Sequence, residues 1–256
     1  MKVLGIDIGG TGIKGAVVDT RSGVLKTDRL RLLTPDDPSP DAVAEVVRTI
    51  AKHFDWDGLI GCTFPGVVTH GVVRTAANLA PSWIDVDAHK LFAKATSCKV
   101  KVMNDADAAG VGEVRFGAPE AAKGTVVLVT LGTGIGSALL VDGRLVPDTE
   151  FGHLQFHGDS AERYAAESVR ERDGLEWNDW AARVSDYLIY LESLLWPDLF
   201  VLGGGVSKKS DKFIPLLECR TRVEPARLLN LAGIVGAAVM VEEKHGGGKD
   251  KKRSTS

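Results

Sequence analysis

The chain repeats one glycine pattern at two places that lie nearly half of its 256 residues apart. Residues 10–19 read Gly-Thr-Gly-Ile-Lys-Gly-Ala-Val-Val-Asp, and residues 132–141 read Gly-Thr-Gly-Ile-Gly-Ser-Ala-Leu-Leu-Val. In both copies the glycines separate two short apolar segments, which is typical of a hairpin. A strand–turn–strand unit repeated at this spacing predicts two similar lobes, each of which opens with a glycine hairpin.

The rest of the chain mixes strand and helix signals, as expected of an α/β protein. Apolar residues follow a helical spacing at 41–54, where Pro40 is a start signal, and again at 176–196 and 226–243. Short apolar segments predict strands at 3–8, 15–19, 25–33, 59–63, 67–73, 100–103, 124–131, 137–141 and 199–202.

These elements predict a division into two lobes. We place the N-terminal lobe at residues 1–120 and the C-terminal lobe at 121–227, with a helix at about 228–242 packing back on the first lobe. Residues 243–256 contain no apolar side chain and are rich in glycine and charged residues, so we expect a flexible tail there.

Composition excludes several classes of protein. The 31 Lys and Arg residues are outnumbered by 34 Asp and Glu, which argues against nucleic-acid binding. No apolar run reaches the roughly 18 residues that a membrane helix needs. The three cysteines lack the spacing of a zinc site or a disulfide framework and are interpreted as reduced thiols. We therefore expect a cytoplasmic protein with no membrane or nucleic-acid partner.

The first glycine cluster, Gly9–Gly15, invites comparison with known phosphate loops. Gly10-x-Gly12-x-x-Gly15 matches a dinucleotide fingerprint, but a strand follows it where that fingerprint requires a helix. A Walker A sequence is absent. The backbone N–H groups of a glycine hairpin can still bind phosphate, helped by Thr11 and Lys14, while Asp7 can hold a hydrated Mg²⁺. A purely structural hairpin with a solvated Lys14 is the alternative.

Two further glycine clusters favour phosphate binding over the purely structural alternative. Gly132–Gly136 can grip a phosphoryl group, and Gly203–Gly205 follows a buried strand as a turn suited to phosphate or adenosine. Lys208, Lys209 and Lys212 come next; they form either part of a basic track or a solvated helix start. Three anion-binding turns in one chain predict phosphoryl transfer, which depends mainly on positioning and charge stabilisation.

Several polar residues can supply the remaining chemistry. Asp105 follows a strand and can accept a proton from a hydroxyl, while Asn104 hydrogen-bonds neighbouring hydroxyls; a simple N-cap is the alternative for either. Glu150 and His153 place an acceptor beside an amphoteric ring, without the spacing of a metal site. Gly66 and Asn78, each just beyond a strand, are candidates to line a polar pocket.

In this order the motifs resemble the ROK group of sugar kinases and repressors, within the actin-like ATPase and hexokinase superfamily. They are Asp-x-Gly-Gly-Thr-x-x-Lys at 7–14, Asn-Asp at 104–105, Gly-Thr-Gly-x-Gly at 132–136, Glu-x-Gly-His at 150–153 and Gly-Gly-Gly at 203–205. The resemblance covers roughly residues 2–241 and is greatest to the polyphosphate-dependent glucokinases. It implies an α/β fold of two ribonuclease H-like lobes with an interlobe cleft, and it makes a homodimer the expected assembly.

The resemblance also implies roles for individual residues. Asp105 would be the general base toward the glucose 6-hydroxyl, and Asp7 would hold Mg²⁺. The residues that would orient the sugar are Gly66, Asn78, Asn104, Asp105, Glu150 and His153. Those that would hold the phosphoryl donor are Gly9, Gly10, Thr11, Lys14, Thr133 and Gly134. To these we add, from the glycine turn after the buried strand and the lysines that follow it, the donor-binding candidates Gly203, Gly204, Gly205, Lys208 and Lys209.

Two departures from the group's pattern matter. Residues 158–174 contain no cysteine, so the group's zinc motif is not expected, and Glu162 is our candidate for the glutamate that this motif supplies. The phosphate hairpin begins by residue 7, so the helix-turn-helix of the repressors is not expected either. The implied reaction is transfer from inorganic polyphosphate to glucose. An ATP-dependent hexokinase or glucokinase and a non-catalytic sugar sensor are the alternatives.

Overall fold

The computed structural model of the protein describes residues 1–76, 79–118 and 122–246, the last four of these by their backbone alone. The chain forms two compact units. The first comprises Met1–Gly112 together with the chain from Ala232 onward, and the second comprises Glu113–Leu231. No helix within the described ranges is both long enough and apolar enough to cross a membrane.

Both units combine strands with helices. The strands are β1 (Lys2–Ile8), β2 (Ile13–Asp19), β3 (Val24–Leu25), β4 (Leu30–Leu32), β5 (Ile60–Phe64), β6 (Val68–Thr69), β7 (Val72–Val73), β8 (Val100–Asn104), β9 (Thr125–Leu131), β10 (Ile135–Val141), β11 (Arg144–Val146), β12 (Gln155–Phe156), β13 (Asp159–Ser160), β14 (Leu199–Gly203) and β15 (Arg222–Pro225). The α-helices are α1 (Pro40–His53), α2 (Ala88–Thr96), α3 (Asp105–Gly112), α4 (Ala161–Ala165), α5 (Glu167–Asp173), α6 (Trp177–Leu195) and α7 (Ala232–Gly246).

The main sheets of the two units share one plan. The strand order is β3-β2-β1-β5-β8 in the first unit, with β4 also paired to β2, and β11-β10-β9-β14-β15 in the second. In each sheet the first three strands of that order are antiparallel and the remaining pairs are parallel. The glycine repeats connect β1 to β2 and β9 to β10, so the two predicted hairpins are confirmed.

The two faces of β1 show how the first sheet is packed. Alternate apolar residues of this strand are buried in one cluster with apolar side chains of α1. Gly5 lies on the opposite face, so close to α7 that a Cβ there would overlap the backbone carbonyl of Ile234. Asp7 shares that face and adjoins Gly233, in the first turn of α7. The end of β1 and the start of α7 therefore meet at Asp7.

The second unit has a core of its own. Side chains of β9 and β14 are buried against α6, whose Trp180, Val184 and Leu188 face the sheet, and α4 and α5 add small residues to the same cluster. The long amphipathic helix predicted at 176–196 is thus confirmed within one residue at each end. Its inward stripe stabilises the sheet that carries the second glycine turn.

Two predicted strands were wrong in extent. The segment 25–33 is divided into β3 and β4, because the N–H of Val17 donates to the side-chain hydroxyl of Thr27, where a continuous ladder would use a backbone carbonyl. The segment 67–73 is a hairpin, β6 and β7, that reverses at His70 and Gly71. Both residues have positive φ values, 54° and 88°, which an extended strand does not contain.

The start predicted for the last helix, at residue 226 to 228, was also wrong. Helix α7 begins at Ala232, because the backbone N–H groups of Arg227 and Leu228 donate to the buried carboxylate of Glu113 at 2.9 and 2.7 Å. Leu229 then takes a φ of 51°, which interrupts helical geometry. The helix runs on to Gly246, beyond the predicted residue 242, and residues 247–256 of the expected tail lie outside the described residues.

Candidate functional site

The first glycine turn joins β1 to β2 through residues 9–12. The N–H of Gly9 donates to the carbonyl of Gly12 at 3.2 Å, and the carbonyl of Gly9 accepts from the hydroxyl of Thr34 at 2.6 Å. Within the described part of the chain, the N–H groups of Gly10 and Thr11 make no hydrogen bond to protein. Such N–H groups can bind an anion, and the phosphate-binding role of this turn stays a prediction.

Asp7 and Lys14 lie opposite each other where β1 and β2 enter this turn. The ammonium group of Lys14 is 3.2 Å from Oδ2 of Asp7, and the hydroxyl of Thr63 donates to Oδ1 at 2.9 Å. The same hydroxyl accepts the N–H of Ile8 at 3.1 Å. Thr63 therefore locks the carboxylate in place, a role that sequence reasoning missed.

The second glycine turn, residues 132–134, is built in a similar way. The N–H of Gly132 donates to the carbonyl of Gly134 at 3.0 Å. Ser168 in α5 binds two carbonyls of this turn. Its N–H donates to the carbonyl of Gly132 at 3.0 Å, and its hydroxyl donates to the carbonyl of Thr133 at 2.6 Å. Among the described residues the N–H groups of Thr133 and Gly134 have no protein acceptor. In each turn a side-chain hydroxyl thus binds one carbonyl, of Gly9 or of Thr133, while N–H groups are left for a ligand.

The third glycine turn adjoins the second. Gly204 has a φ of 87° and lies so close to the backbone of Leu131 that a Cβ would overlap it. Gly203 ends β14, and Gly205 begins a 3₁₀ segment that runs to Lys212 with a break in helical geometry at Lys209. The predicted strand-to-helix turn is confirmed in position, although the helix that follows is 3₁₀ in type.

The lysines after the third turn surround one aromatic ring. The ammonium groups of Lys209 and Lys212 lie 5.7 and 5.6 Å from the ring centroid of Trp177, and the guanidinium of Arg170 lies 4.3 Å from it. Lys208 is exposed on the same segment. Arg170 is also ion-paired with Glu167 and Glu171, at 3.2 and 3.7 Å. The donor role of Lys208 and Lys209 stays a prediction, and Trp177 carried no sequence motif that pointed to it.

Asn104 and Asp105 lie where β8 passes into α3. The side-chain oxygen of Asn104 accepts the N–H of Asp107 at 3.0 Å, so Asn104 caps the helix, and its amide nitrogen donates to the carbonyl of Gly66 at 3.2 Å. Because an amide nitrogen carries two hydrogens, one donor of Asn104 remains for a ligand. Asp105 is half-buried at the first position of α3, and its Oδ1 accepts the N–H of Ala106 at 2.9 Å.

The first sheet brings these residues to one edge. Strands β1, β5 and β8 are parallel neighbours, and their carboxyl ends carry Asp7, Thr63 and Asn104. Ligands of α/β proteins bind outside the carboxyl ends of such strands. Gly66 and Asn104 are in contact, and Asp105 is next to Asn104 in the chain, whereas Asn78 lies outside the described residues. The sugar-binding roles of these residues stay predictions.

Glu150, His153 and Glu162 converge in the second unit. The Nδ1 of His153 is 3.6 Å from Oε2 of Glu150, and its Nε2 is 3.8 Å from Oε1 of Glu162. Glu162 also accepts the N–H of Ile135 at 3.4 Å, and a Cβ on Gly134 would overlap its carboxylate. Glu162, the sequence candidate for the glutamate of the zinc motif, therefore lies between His153 and the second glycine turn.

Electrostatics distinguish Glu150 within this group. Burial is the largest effect and raises the pKa of Glu150 above its ordinary value of 4.5. The neighbouring His153 lowers the pKa, and the carboxylates of Asp148 and Glu162 raise it further. A half-buried carboxylate held among other carboxylates costs stability when it is ionised, which is typical of a residue kept for binding or catalysis.

Replacing Glu150 by glutamine is expected to stabilise the folded protein at neutral pH. A carboxyl whose folded-state pKa is raised favours folding while it is protonated, so this contribution is complete below about 4.5 and is lost as the pH rises through the raised pKa. The melting temperature of Glu150→Gln, measured by calorimetry between pH 4 and 8, should therefore exceed that of the unmodified protein by a margin that grows as the pH rises through the raised pKa of Glu150 and is constant above it.

Glu45→Gln is the matched control for this experiment. Arg48 lowers the pKa of the exposed Glu45 through a hydrogen bond. Removing the Glu45 carboxylate should therefore give no gain in melting temperature at neutral pH. A gain for Glu150→Gln that is already complete at pH 4, or that shrinks as the pH rises, contradicts the expected linkage.

Comparison with known proteins shows the family to which the chain is similar. The profile of the ROK family matches residues 3–174. Polyphosphate glucokinase of Mycobacterium tuberculosis (strain CDC 1551 / Oshkosh) is 52% identical over 236 residues, covering 92% of this chain and 89% of that protein. Polyphosphate glucokinase of Mycobacterium leprae (strain TN) is 50% identical over the same length, covering 92% and 73%.

A solved structure shows the same fold. The crystal structure of inorganic polyphosphate/ATP-glucomannokinase from Arthrobacter sp. strain KM matches with a TM-score of 0.91 and 45% identity, covering 95% of this chain and 99% of that one. The expected α/β fold of the actin-like ATPase and hexokinase superfamily is confirmed.

Proposed function

The chain belongs to the ROK family, and we propose that it is a phosphotransferase that makes glucose 6-phosphate from glucose and inorganic polyphosphate. The observation that carries this proposal is the pair of glycine turns, each with free N–H groups and with carbonyls tied back by Thr34 or Ser168. Such turns bind the oxygens of phosphoryl groups. Relatives that are named polyphosphate glucokinases support the same donor and acceptor.

In the proposed reaction Asp105 is the general base. Its carboxylate accepts the proton of the glucose 6-hydroxyl as the oxygen attacks the terminal phosphorus, and the shortened polyphosphate departs. One N–H of the Asn104 amide donates to the carbonyl of Gly66, and we assign the second N–H to a sugar hydroxyl. We assign Asn78 to the sugar as well, from the sequence motif alone.

We also assign Glu150 and His153 to sugar binding. A carboxylate accepts sugar hydroxyls, and an imidazole both donates and accepts. Because Glu162 contacts His153 and the backbone at Ile135, we assign to Glu162 the positioning of His153. These side chains bind and orient glucose; they take no part in the proton transfer.

The donor is held by the glycine turns and their basic neighbours. We assign Gly9, Gly10, Thr11 and Lys14 in the first unit to donor phosphates. In the second unit the donor residues are Thr133, Gly134, Gly203, Gly204, Gly205, Lys208 and Lys209. Backbone N–H groups and ammonium groups stabilise the charge that spreads over the transferred phosphoryl group.

The residues at Asp7 fit a magnesium ion that arrives with the donor. Magnesium keeps most of its waters and binds through one or two carboxylates together with substrate phosphates. Asp7 offers one carboxylate, fixed by Thr63, beside the first glycine turn. In the described ranges no group of three His, Cys, Asp or Glu side chains is placed to hold a metal without phosphate. When bound, the ion neutralises charge on the donor phosphates.

A second donor has specific support. The solved relative is named a polyphosphate/ATP-glucomannokinase, so ATP is the alternative donor, and an ATP-dependent hexokinase the alternative enzyme. Initial rates of glucose 6-phosphate formation with inorganic polyphosphate and with ATP, at saturating glucose, test the proposal. We expect the higher rate with polyphosphate. Equal or faster use of ATP overturns the donor assignment, and no product with either donor revives a non-catalytic sugar sensor.

We propose a cytoplasmic homodimer as the working form. The three cysteines are free thiols, in keeping with a reducing compartment. On α6 and just after it, Ile189, Leu194 and Trp196 are exposed, and such apolar side chains are typical of a subunit interface. Sedimentation of the unmodified protein and of Ile189→Asp measures this, and a monomer in both cases refutes it.

A further inference from the structure

The first sheet places a row of charged side chains beside the glycine turn. Asp7 on β1 is paired in register with Lys14 on β2, and Lys14 is paired with Arg31 on β4. Directly paired residues of antiparallel strands point to the same face. The row therefore runs from a carboxylate through an ammonium group to a guanidinium, on the face that carries the first turn of α7.

Packing fixes the direction in which Arg31 points. Leu30 and Leu32, its neighbours on β4, are partly buried against the core that contains α1. Because side chains alternate along a strand, Arg31 is directed to the opposite face. A Cβ on Gly12 would lie 2.9 Å from Nε of Arg31, so the guanidinium lies against the backbone of the glycine turn.

The charges in this row are not balanced. Asp7 pairs with Lys14 at 3.2 Å, whereas the guanidinium of Arg31 has no carboxylate within 4.0 Å among the described residues. Like charges directly opposite each other on antiparallel strands destabilise a sheet. The Lys14–Arg31 pair thus leaves an unmatched positive charge at the entrance of an anion-binding turn.

Protection of a sheet edge does not account for this arrangement. Charged side chains on edge strands do block pairing with other chains. A charge that only protects an edge needs neither a contact with the glycine turn nor a second cation opposite it. Arg31 contacts the turn at Gly12 and lies opposite Lys14.

We infer that Arg31 is a donor-binding residue that holds a phosphate of the chain bound at the first glycine turn, together with Lys14. This inference rests on the proposed function. The ligand is a linear phosphate chain, which either polyphosphate or the triphosphate of ATP supplies. A guanidinium suits it because its planar fork binds two phosphate oxygens at once.

The test compares Arg31→Gln with Arg21→Gln. Arg21 is an exposed arginine in the β2–β3 turn, so the control removes the same charge from beyond the end of β2, whereas Arg31 pairs with the start of that strand. At saturating glucose we expect Arg31→Gln to raise the KM for polyphosphate about tenfold with kcat changed less than about threefold, since one charged hydrogen-bonding group is lost. Arg21→Gln should leave both values unchanged. The same measurement with ATP shows whether the contact serves both donors or polyphosphate alone.

A binding experiment without turnover separates this inference from the proposed function. Tripolyphosphate alone should raise the melting temperature of the unmodified protein and of Arg21→Gln, and Arg31→Gln should lose most of that shift. Without any phosphate, Arg31→Gln should melt no lower than the unmodified protein, because a repulsion has been removed. Equal tripolyphosphate shifts and equal KM values in the two variants overturn the role of Arg31. A normal tripolyphosphate shift in a protein that phosphorylates no glucose refutes only the proposed function.

Discussion

Replacing Asp105 by asparagine is expected to lower kcat for glucose 6-phosphate formation by about 10²- to 10⁴-fold, the usual contribution of a positioned general base. Asparagine keeps the size of the side chain and can still accept the N–H of Ala106, which Asp105 accepts at 2.9 Å. It cannot take up the hydroxyl proton. A coupled assay of glucose 6-phosphate at saturating donor measures the change.

The companion variant is Asp87→Asn. Asp87 caps α2 through the N–H of Lys90 at 3.0 Å, and asparagine caps a helix about as well, so activity should be unaffected. Glucose affinity, measured by calorimetric titration, should change far less than kcat in Asp105→Asn, since the base acts on the reacting oxygen. Near-normal turnover in Asp105→Asn would remove this carboxylate from the mechanism.

Replacing Gly236 by alanine is expected to lower the free energy of unfolding by about 3 kcal/mol, a large share of the roughly 5–15 kcal/mol of a typical domain. Gly236 lies where α7 crosses α3, and a Cβ there would overlap the backbone carbonyl of Ala108. The clash involves backbone on both sides, so no side chain can rotate to relieve it. The midpoint of urea unfolding, followed by circular dichroism, reports the loss.

Gly205→Ala provides the comparison for stability. A Cβ at Gly205 meets no atom within 4 Å, so its midpoint should change little. Because α3 starts at Asp105, displacement of α3 in Gly236→Ala should also reduce kcat at temperatures where the protein is still folded. An unchanged midpoint in Gly236→Ala would show that the contact between α3 and α7 is looser than the structure indicates.

Local pattern was enough to predict the parts of the site that lie in continuous stretches of chain. The glycine turns at 9–12 and 132–134 are recognisable because their strands and glycines are adjacent in sequence, and the strand-to-helix passage at Asn104 and Asp105 is read in the same way. The N-cap alternative for Asn104 also proved correct, since its oxygen caps α3 while its amide nitrogen holds Gly66. Both roles come from one side chain with separate acceptor and donor atoms.

The supporting residues could not be found in that way. Thr34, Thr63 and Ser168 hydrogen-bond to atoms 25, 56 and 35 positions away, and a lone hydroxyl residue carries no sequence signal for such a contact. Glu113 is a similar case, because its buried carboxylate accepts N–H groups more than a hundred positions later and so delays the start of α7. Non-local hydrogen bonds overrode the helical pattern at residues 226–231.

By itself the sequence determined that this protein is built from two glycine hairpins on two similar sheets, because hairpins depend on the period of apolar residues and on glycine at the turn. Only the tertiary structure decided which side chains meet at those turns. The register of β2 and β4 places Arg31 opposite Lys14. Packing places Glu162 between His153 and the second glycine turn, and α7, near the end of the chain, packs against Asp7. Each of these contacts depends on the pairing of distant strands and on close packing, which no local pattern encodes.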